Sequence, residues 1–307
     1  MAADGGPSGS TEPLVYVVVL SWNRAATTLR CIESVAGSSY RNARVVVVDN
    51  ASADDSVARI RERFPQVPLI QNPANLGYAE GNNVGIRYAM ERGAEFVLVL
   101  NDDVFIEPDA LGHMVAAAGP GVAAVGCKVR LFDEPDRLWA AGDLNFRTAD
   151  AHPKDDGRFD APRDLDYAVG CCILLRAGVL DEIGRFDPSY FLEFEEVDWC
   201  SRARKAGHRI VYEPRAVVYH NHSVSFTDSC SPAFHYLSAR NCLLFWKRND
   251  VVLSGRPRAL YGLISWLAQL RLILRTRGSK LRRITAATLG VVDYYRGRFG
   301  APPPNLY

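Results

Sequence analysis

The chain reads as an α/β domain with a doubly wound parallel sheet, and three observations carry that reading. Continuous β-branched runs (VYVVVL at 15–20, VVVV at 45–48, FVLVL at 96–100) have the all-apolar pattern of strands buried on both faces. Helix-type stretches separate them in a β-α-β-α order. The runs end in polar clusters, Ser21–Arg24, Asp49–Asn50 and Asn101–Asp103, at the carboxyl edge where open α/β sheets bind ligands.

Taken in order, VYVVVL is the first strand, and Leu29, Ile32 and Val35–Ala36 mark a helix stopped by Gly37. ARVVVVDN (43–50) is the second strand, and Ser52–Asp55 can cap a helix running to Arg63. VPLIQN (67–72) predicts a short third strand, residues 79–91 a helix, and EFVLVLNDD (95–103) a fourth strand ending in acids. The alternation then loosens. VAAVGCKV (122–129) and YAVGCCILLR (167–176) read as strands, 132–166 as loops, 194–206 as an amphipathic helix, and HRIVYEP and AVVYHNH as two further strands. From Pro232 three basic amphipathic helices are expected, near 233–249, 257–277 and 280–297. This divides the chain into a flexible tail (1–13), a catalytic domain (14–231) and a basic helical region (232–307).

Composition narrows the class. The 307 residues carry 36 Lys+Arg and 35 Asp+Glu, a net charge of +1 that hides an asymmetry. Residues 240–307 hold 13 basic and 2 acidic residues, net +11, leaving net −10 for the rest. A basic tail of this kind predicts an anionic partner. A membrane surface is the expectation, since no helix-turn-helix or base-stacking motif points to nucleic acid. The seven cysteines include no CxxC pair, and the start lacks an apolar leader. Both features predict reduced thiols and a cytoplasmic location. The uncharged apolar stretch Ala259–Leu270 has twelve residues, against the ~20 that span a bilayer.

Four groups of residues carry candidate chemistry. Asn101-Asp102-Asp103 projects acids from a rigid strand end, where Mg²⁺ or Mn²⁺ bridging a diphosphate would balance their charge. NPANLGYAEGNNVGI (72–86) is a Gly/Asn-rich turn entering a helix, suited to close backbone approach. It is neither GxGxxG nor a P-loop, which counts against dehydrogenases and kinases. Glu193, Glu195, Glu196 and Asp198 crowd FLEFEEVDWC, where mutual repulsion and aromatic neighbours raise carboxyl pKa values toward those of a general base. His220 and His222 end a strand and offer imidazole ligands.

In this order the pieces resemble glycosyltransferase family 2, inverting enzymes of the GT-A fold, and especially its rhamnosyltransferase-like branch. The matching segments are VVLSWNR (18–24), VVVDNAS (46–52), NLGYAEGNNVGI (75–86), VLNDD (99–103), VGCCILLR (169–176), residues 184–214 and VVYHNHS (217–223). SARNCLLFWKRN (238–249) and GVVDYYRGRFG (290–300) resemble the branch's C-terminal helices.

The resemblance implies a Rossmann-like nucleotide-binding sheet with an acceptor-side subregion. It implies that Ser21, Asn23, Arg24 and Asp49 hold the nucleoside of a nucleotide sugar, with Asp49 accepting from a pyrimidine N3–H. Asn75 and Gly77 would approach the nucleotide, and Asp102 would share the donor work. Asp103 and His220 would bind Mg²⁺ or Mn²⁺, and Glu196 would be the base, flanked by Glu195 and Asp198. The chain departs from the family pattern at Asn101, where an acid is usual, and at Glu196, where Asp is more usual. The implied activity is transfer of a sugar, rhamnose first, to a hydroxyl of a glycan or lipid-linked acceptor during polysaccharide synthesis. Asn101 leaves open a nucleotide-sugar-binding or scaffold protein of the same fold. A nucleotidyltransferase would want a basic Gly-rich first loop, which SWNRAATT does not supply.

Overall fold

The structure is a computed structural model and describes residues 12–142, 157–221, 231–251, 253, 256–276 and 278–306. His222, most of the expected tail and Cys230 lie outside the described residues. The strands are β1 (Val15–Ser21), β2 (Ala43–Asp49), β3 (Leu69–Gln71), β4 (Phe96–Asn101), β5 (Val104–Ile106), β6 (Val122–Leu131), β7 (Leu138–Ala140), β8 (Arg163–Asp164), β9 (Cys172–Arg176) and β10 (Arg209–His220). The α-helices are α1 (Ala25–Ala36), α2 (Ser56–Arg63), α3 (Gly77–Met90), α4 (Ala110–Ala117), α5 (Ala177–Ile183), α6 (Glu195–Lys205), α7 (Pro232–Arg248), α8 (Tyr261–Arg275) and α9 (Lys280–Tyr295).

One mixed sheet runs β3-β2-β1-β4-β9-β6-β10-β5, with β7 beside β6 and β8 beside β10. Its nucleotide-type half, β3-β2-β1-β4, is parallel. Burial on both faces explains the VVVV runs: Val17, Val19 and Val47 pack with Ile32, Ile60 and Leu111 on one side. Val18, Val46 and Val48 pack with Ile86 and the α6–α7 side on the other. Close packing of α3 is enforced by Gly85, where a Cβ would stand 2.2 Å from Val18 Cγ1.

Four expectations are corrected. The fourth strand stops at Asn101, because Asp102 and Asp103 turn the chain into β5, which the sequence reading missed. Strand β9 begins at Cys172 rather than 167, since the preceding residues leave the sheet to approach α6. The two strands expected at 208–222 are one strand, β10, kinked by an irregularity between Glu213 and Val217. Pro214 sits in that kink, where a missing N–H costs no ladder bond. Ser52–Asp55 supply no side-chain cap to α2; Asp54 Oδ1 instead accepts from Ser56 N–H at 3.0 Å.

The C-terminal region is not a loose appendage. Leu243, Leu244, Phe245 and Trp246 of α7 belong to the core cluster that also holds Trp199 and Ile86. Helix α9 crosses α7 closely at Gly290, where a Cβ would meet Tyr236 O at 2.2 Å. Among the described residues no helix is long and apolar enough to cross a membrane.

Candidate active site

Sheet register builds the acidic centre. Strand β5 pairs antiparallel with the end of β10, His220 opposite Val104, and Asn221 N–H donates to Asp103 O at 2.8 Å. Residues 117 positions apart are thereby brought together. His220 Nε2 lies 3.3 Å from Asp103 Oδ1, and its ring rests 4.4 Å from that of Trp139. Asp103 is 1% exposed, and its Oδ1 accepts no hydrogen bond.

Arg24, at the start of α1, reaches into the same place. Its Nη1 donates to Asp103 Oδ2 at 2.8 Å and lies 3.7 Å from Asp102 Oδ1. Burial and the adjacent Asp103 charge push the Asp102 carboxyl up to about 7, against the pull of Arg24, the Trp22 N–H and Thr28. Two buried acids sharing one partly exposed guanidinium are short of positive charge. Among the described residues no cluster of three or more His, Cys, Asp or Glu side chains could hold a metal ion. An orphaned carboxylate oxygen facing an imidazole nitrogen nevertheless fits Mn²⁺ or Mg²⁺, provided a diphosphate completes the coordination.

The loops that follow β1 and β2 lock one another. Ser21 Oγ and Thr28 Oγ1 are 2.8 Å apart. Asn23, at φ 55°, donates its N–H to Ser52 Oγ at 2.8 Å and accepts from Ala53 N–H at 2.7 Å. Asp49 Oδ2 accepts from Ser52 N–H at 3.1 Å, while Oδ1 is buried without a partner. Asn50 ties these loops to the Gly/Asn turn: its amide donates to Asn75 Oδ1 at 2.9 Å and Gly77 O at 3.1 Å. Its Oδ1 accepts from Asn72 and Leu76.

Gly77 opens α3 at φ 77°, and a Cβ there would lie 2.5 Å from Phe191 O. That close approach has a purpose. Leu76 supplies no side-chain cap, and the first-turn N–H groups of Tyr78 and Ala79 donate to Phe191 O at 2.6 and 3.1 Å. Helix α3 thus begins on the carboxylate turn.

In that turn three non-glycine residues take left-handed backbone: Phe191 (φ 67°), Glu193 (φ 74°) and Phe194 (φ 77°). Each costs on the order of 1–2 kcal/mol. Helix α7 holds them. Asn241 Nδ2 donates to the carbonyls of Tyr190 and Leu192 at 2.8 Å and of Glu193 at 2.9 Å. Arg240 donates to Tyr190 O at 3.1 Å and Gly300 O at 2.8 Å. Both side chains are fully buried. In the sequence, the adjacent polar residues Arg240-Asn241 opening the apolar run CLLFW are the signal for this role.

Glu195 and Glu196 follow at the start of α6. Burial, then the Glu196 charge, drives the Glu195 carboxyl well above its ordinary range. Burial raises Glu196 less, because the N–H groups of Glu196, Val197 and Gly170 stabilise its charged form. Glu193 is pushed up to about 7 by burial and by Glu196. Glu195 Oε2 and Glu196 Oε2 are buried without partners. Asp198 differs: Oδ1 accepts from Tyr190 Oη and Asn249 Nδ2, each at 3.1 Å, and Oδ2 from Arg202 Nε at 2.9 Å. It braces the turn and has no free oxygen for proton transfer. Cys171 feels the charges of both Asp103 and Glu196, so the acidic centre and the glutamate pair flank one residue.

A parallel half-sheet with a strand-end acid pair and a carboxylate turn opening α6 marks a GT-A glycosyltransferase. Residues 13–233 match the family described as Glycosyltransferase like family 2, and the chain belongs to it. It is 28% identical over 273 residues to the low-salt glycan biosynthesis hexosyltransferase Agl10 of Haloferax volcanii, covering 85% of each chain. It is 26% identical over 251 residues to the N-acetylglucosaminyl-diphospho-decaprenol L-rhamnosyltransferase of Mycobacterium tuberculosis (72% of this chain, 81% of the relative). The mannosyltransferase PcManGT of Pyrobaculum calidifontis, solved with GDP-Man and Mn²⁺, superposes with a TM-score of 0.59 at 16% identity. That likeness covers 94% of this chain and 88% of the other, and shows the fold.

Proposed function

We propose that this glycosyltransferase is metal-dependent and inverting, and moves rhamnose from a dTDP-linked donor to a hydroxyl of a lipid-linked glycan at the inner face of the cell membrane. One observation carries the mechanism: among the described residues, buried carboxylate oxygens without partners include Asp49 Oδ1, Asp103 Oδ1 and the Glu195/Glu196 pair, beside Asp293 Oδ1 on α9. Burying an unpaired acceptor is costly unless a ligand completes it.

Asp49 accepts the base N3–H, and the interlocked Asn23, Ser52 and Asn75 loops shape the nucleoside site. Asp103 and His220 would hold Mg²⁺ or Mn²⁺, which would supply Lewis-acid charge for the departing diphosphate. Arg24, no longer the sole cation beside the acids, is placed to contact a phosphate. Glu196 takes the proton from the acceptor hydroxyl as its oxygen bonds to the anomeric carbon and the bond to the diphosphate breaks. Attack opposite the leaving group inverts that carbon. Burial favours the protonated form of Glu195, while the N–H groups of Glu196, Val197 and Gly170 favour charge on Glu196. The name of the mycobacterial relative supports rhamnose and a polyprenyl diphosphate acceptor.

The deciding experiment is a thermal-shift panel of dTDP-, UDP- and GDP-sugars with and without Mn²⁺, followed by nucleoside diphosphate release on adding a polyprenyl-diphosphate sugar. A Mn²⁺-dependent rise in Tm with dTDP-rhamnose and product release are expected. A rise only with another sugar overturns the donor, and full activity in EDTA overturns the metal.

A further inference from the structure

Helix α8 is built inside out. Leu260, Leu263, Leu267, Leu270 and Leu274 recur along one stripe, and amphipathicity alone would turn that stripe toward the core. The structure does the reverse. Tyr261, Gly262, Ser265, Gln269 and Ile273 are the buried positions. Leu260, Leu263, Leu267 and Leu274 stand 44%, 53%, 38% and 57% exposed, and Leu281 at the start of α9 is 77% exposed.

The orientation is fixed by polar contacts that rolling the helix would break. Ser265 Oγ donates to Ala239 O at 2.9 Å, and Gln269 Oε1 lies 2.8 Å from the buried His235 Nδ1. Gly262 lies against Tyr295, where a Cβ would come within 2.8 Å of the hydroxyl. The leucines cannot be buried without stranding Ser265 and Gln269.

Contiguous exposed leucines mark a surface that something covers, and the surrounding charge says what. Arg256, Arg258, Arg271, Arg275, Lys280 and Arg282 are exposed around the stripe, and none pairs with an acid among the described residues. No acid occurs between Asp250 and Asp293, and Asp293 is buried. Leucines rimmed by unpaired cations match an anionic leaflet, with apolar side chains at the acyl boundary and guanidinium groups among the headgroups.

We infer that the outer face of α8 docks on an anionic lipid bilayer through Leu260, Leu263, Leu267 and Leu274, flanked by Arg271 and Arg275. The inference deepens the lipid-linked acceptor reading and rests on it for its purpose, not for its geometry. Co-sedimentation of the full chain with phosphatidylglycerol/phosphatidylcholine vesicles tests it, beside phosphatidylcholine vesicles alone. Binding to the anionic vesicles, weakened by salt, is expected. Leu263→Glu with Leu267→Glu should lower it about tenfold or more. Because both side chains face outward, that variant should keep its Tm and its transfer to a water-soluble acceptor. Equal partitioning of both proteins overturns the proposal. So does sedimentation velocity without vesicles that shows a dimer lost in the variant, since the stripe would then be a protein interface. Vesicle binding without transfer from any donor would sink the functional reading and leave this one standing.

Discussion

At the scale of single residues, the acids divide by what already touches them. Asp103 keeps one oxygen free beside His220, whereas Asp102 is held by Arg24, Thr28 and the Trp22 N–H. Asp103→Asn should therefore abolish transfer and Mn²⁺-dependent nucleotide binding, and Asp102→Asn should cost less; titration calorimetry and product release read both. Glu196→Gln should lower kcat by several orders of magnitude with donor affinity unchanged. If Glu195→Gln is the dead variant instead, the base has been misassigned. Since burial raises Glu196, the acid limb of kcat/KM should stand above the ordinary glutamate range, and Glu195→Gln, which swaps one neutral group for another, should leave it in place. The strand-end acids were legible because a hydrophobic run stops at each of them. The role of Asp198 was not, because Asn249 and Tyr190 meet it only after α6 and α7 pack.

At the scale of elements, the carboxylate turn is strained and held from outside. Asn241→Ala removes three hydrogen bonds to its carbonyls, an expected loss of about 2–4 kcal/mol in chemical denaturation. Gly77→Ala forces a Cβ against Phe191 and should destabilise by a similar amount while impairing donor binding. The turn also sets a pH dependence. Glu193 is raised to about 7 in the folded state, so the protonated form is favoured by folding. The stability this gives is complete below the unfolded value of about 4.3 and is lost as pH rises through about 7. Thermal melts of the ligand-free protein should fall from pH 5 to pH 8, and Glu193→Gln should flatten that slope. Long β-branched runs announced β1, β2 and β4. Strand β5 has three residues, and only its pairing with β10, more than a hundred positions away, makes it a strand.

At the scale of the whole molecule, the charge asymmetry was visible in the sequence, but the direction the leucines face was not. Helical periodicity reports that a stripe exists; Ser265, Gln269 and His235 decide which side is buried. The family match ends at residue 233, yet α7 contributes Leu243, Leu244, Phe245 and Trp246 to the central core. A chain ending at residue 231 should therefore fail to unfold cooperatively in denaturant, whereas loss of a detached appendage would leave a normal transition.

The carbonyl of Phe191 has a further consequence. It is the shared acceptor for the amides of Tyr78 and Ala79, so those amides can exchange with solvent deuterium only when helix α3 and the carboxylate turn part company. Their uptake rate measures the opening of the carboxylate turn from within α3. A nucleotide sugar that tightens α3 would slow it, and by reciprocity would raise the affinity of the turn for its acceptor by the same factor. The two substrates would then bind cooperatively, each raising the affinity for the other, without any lid closing over them.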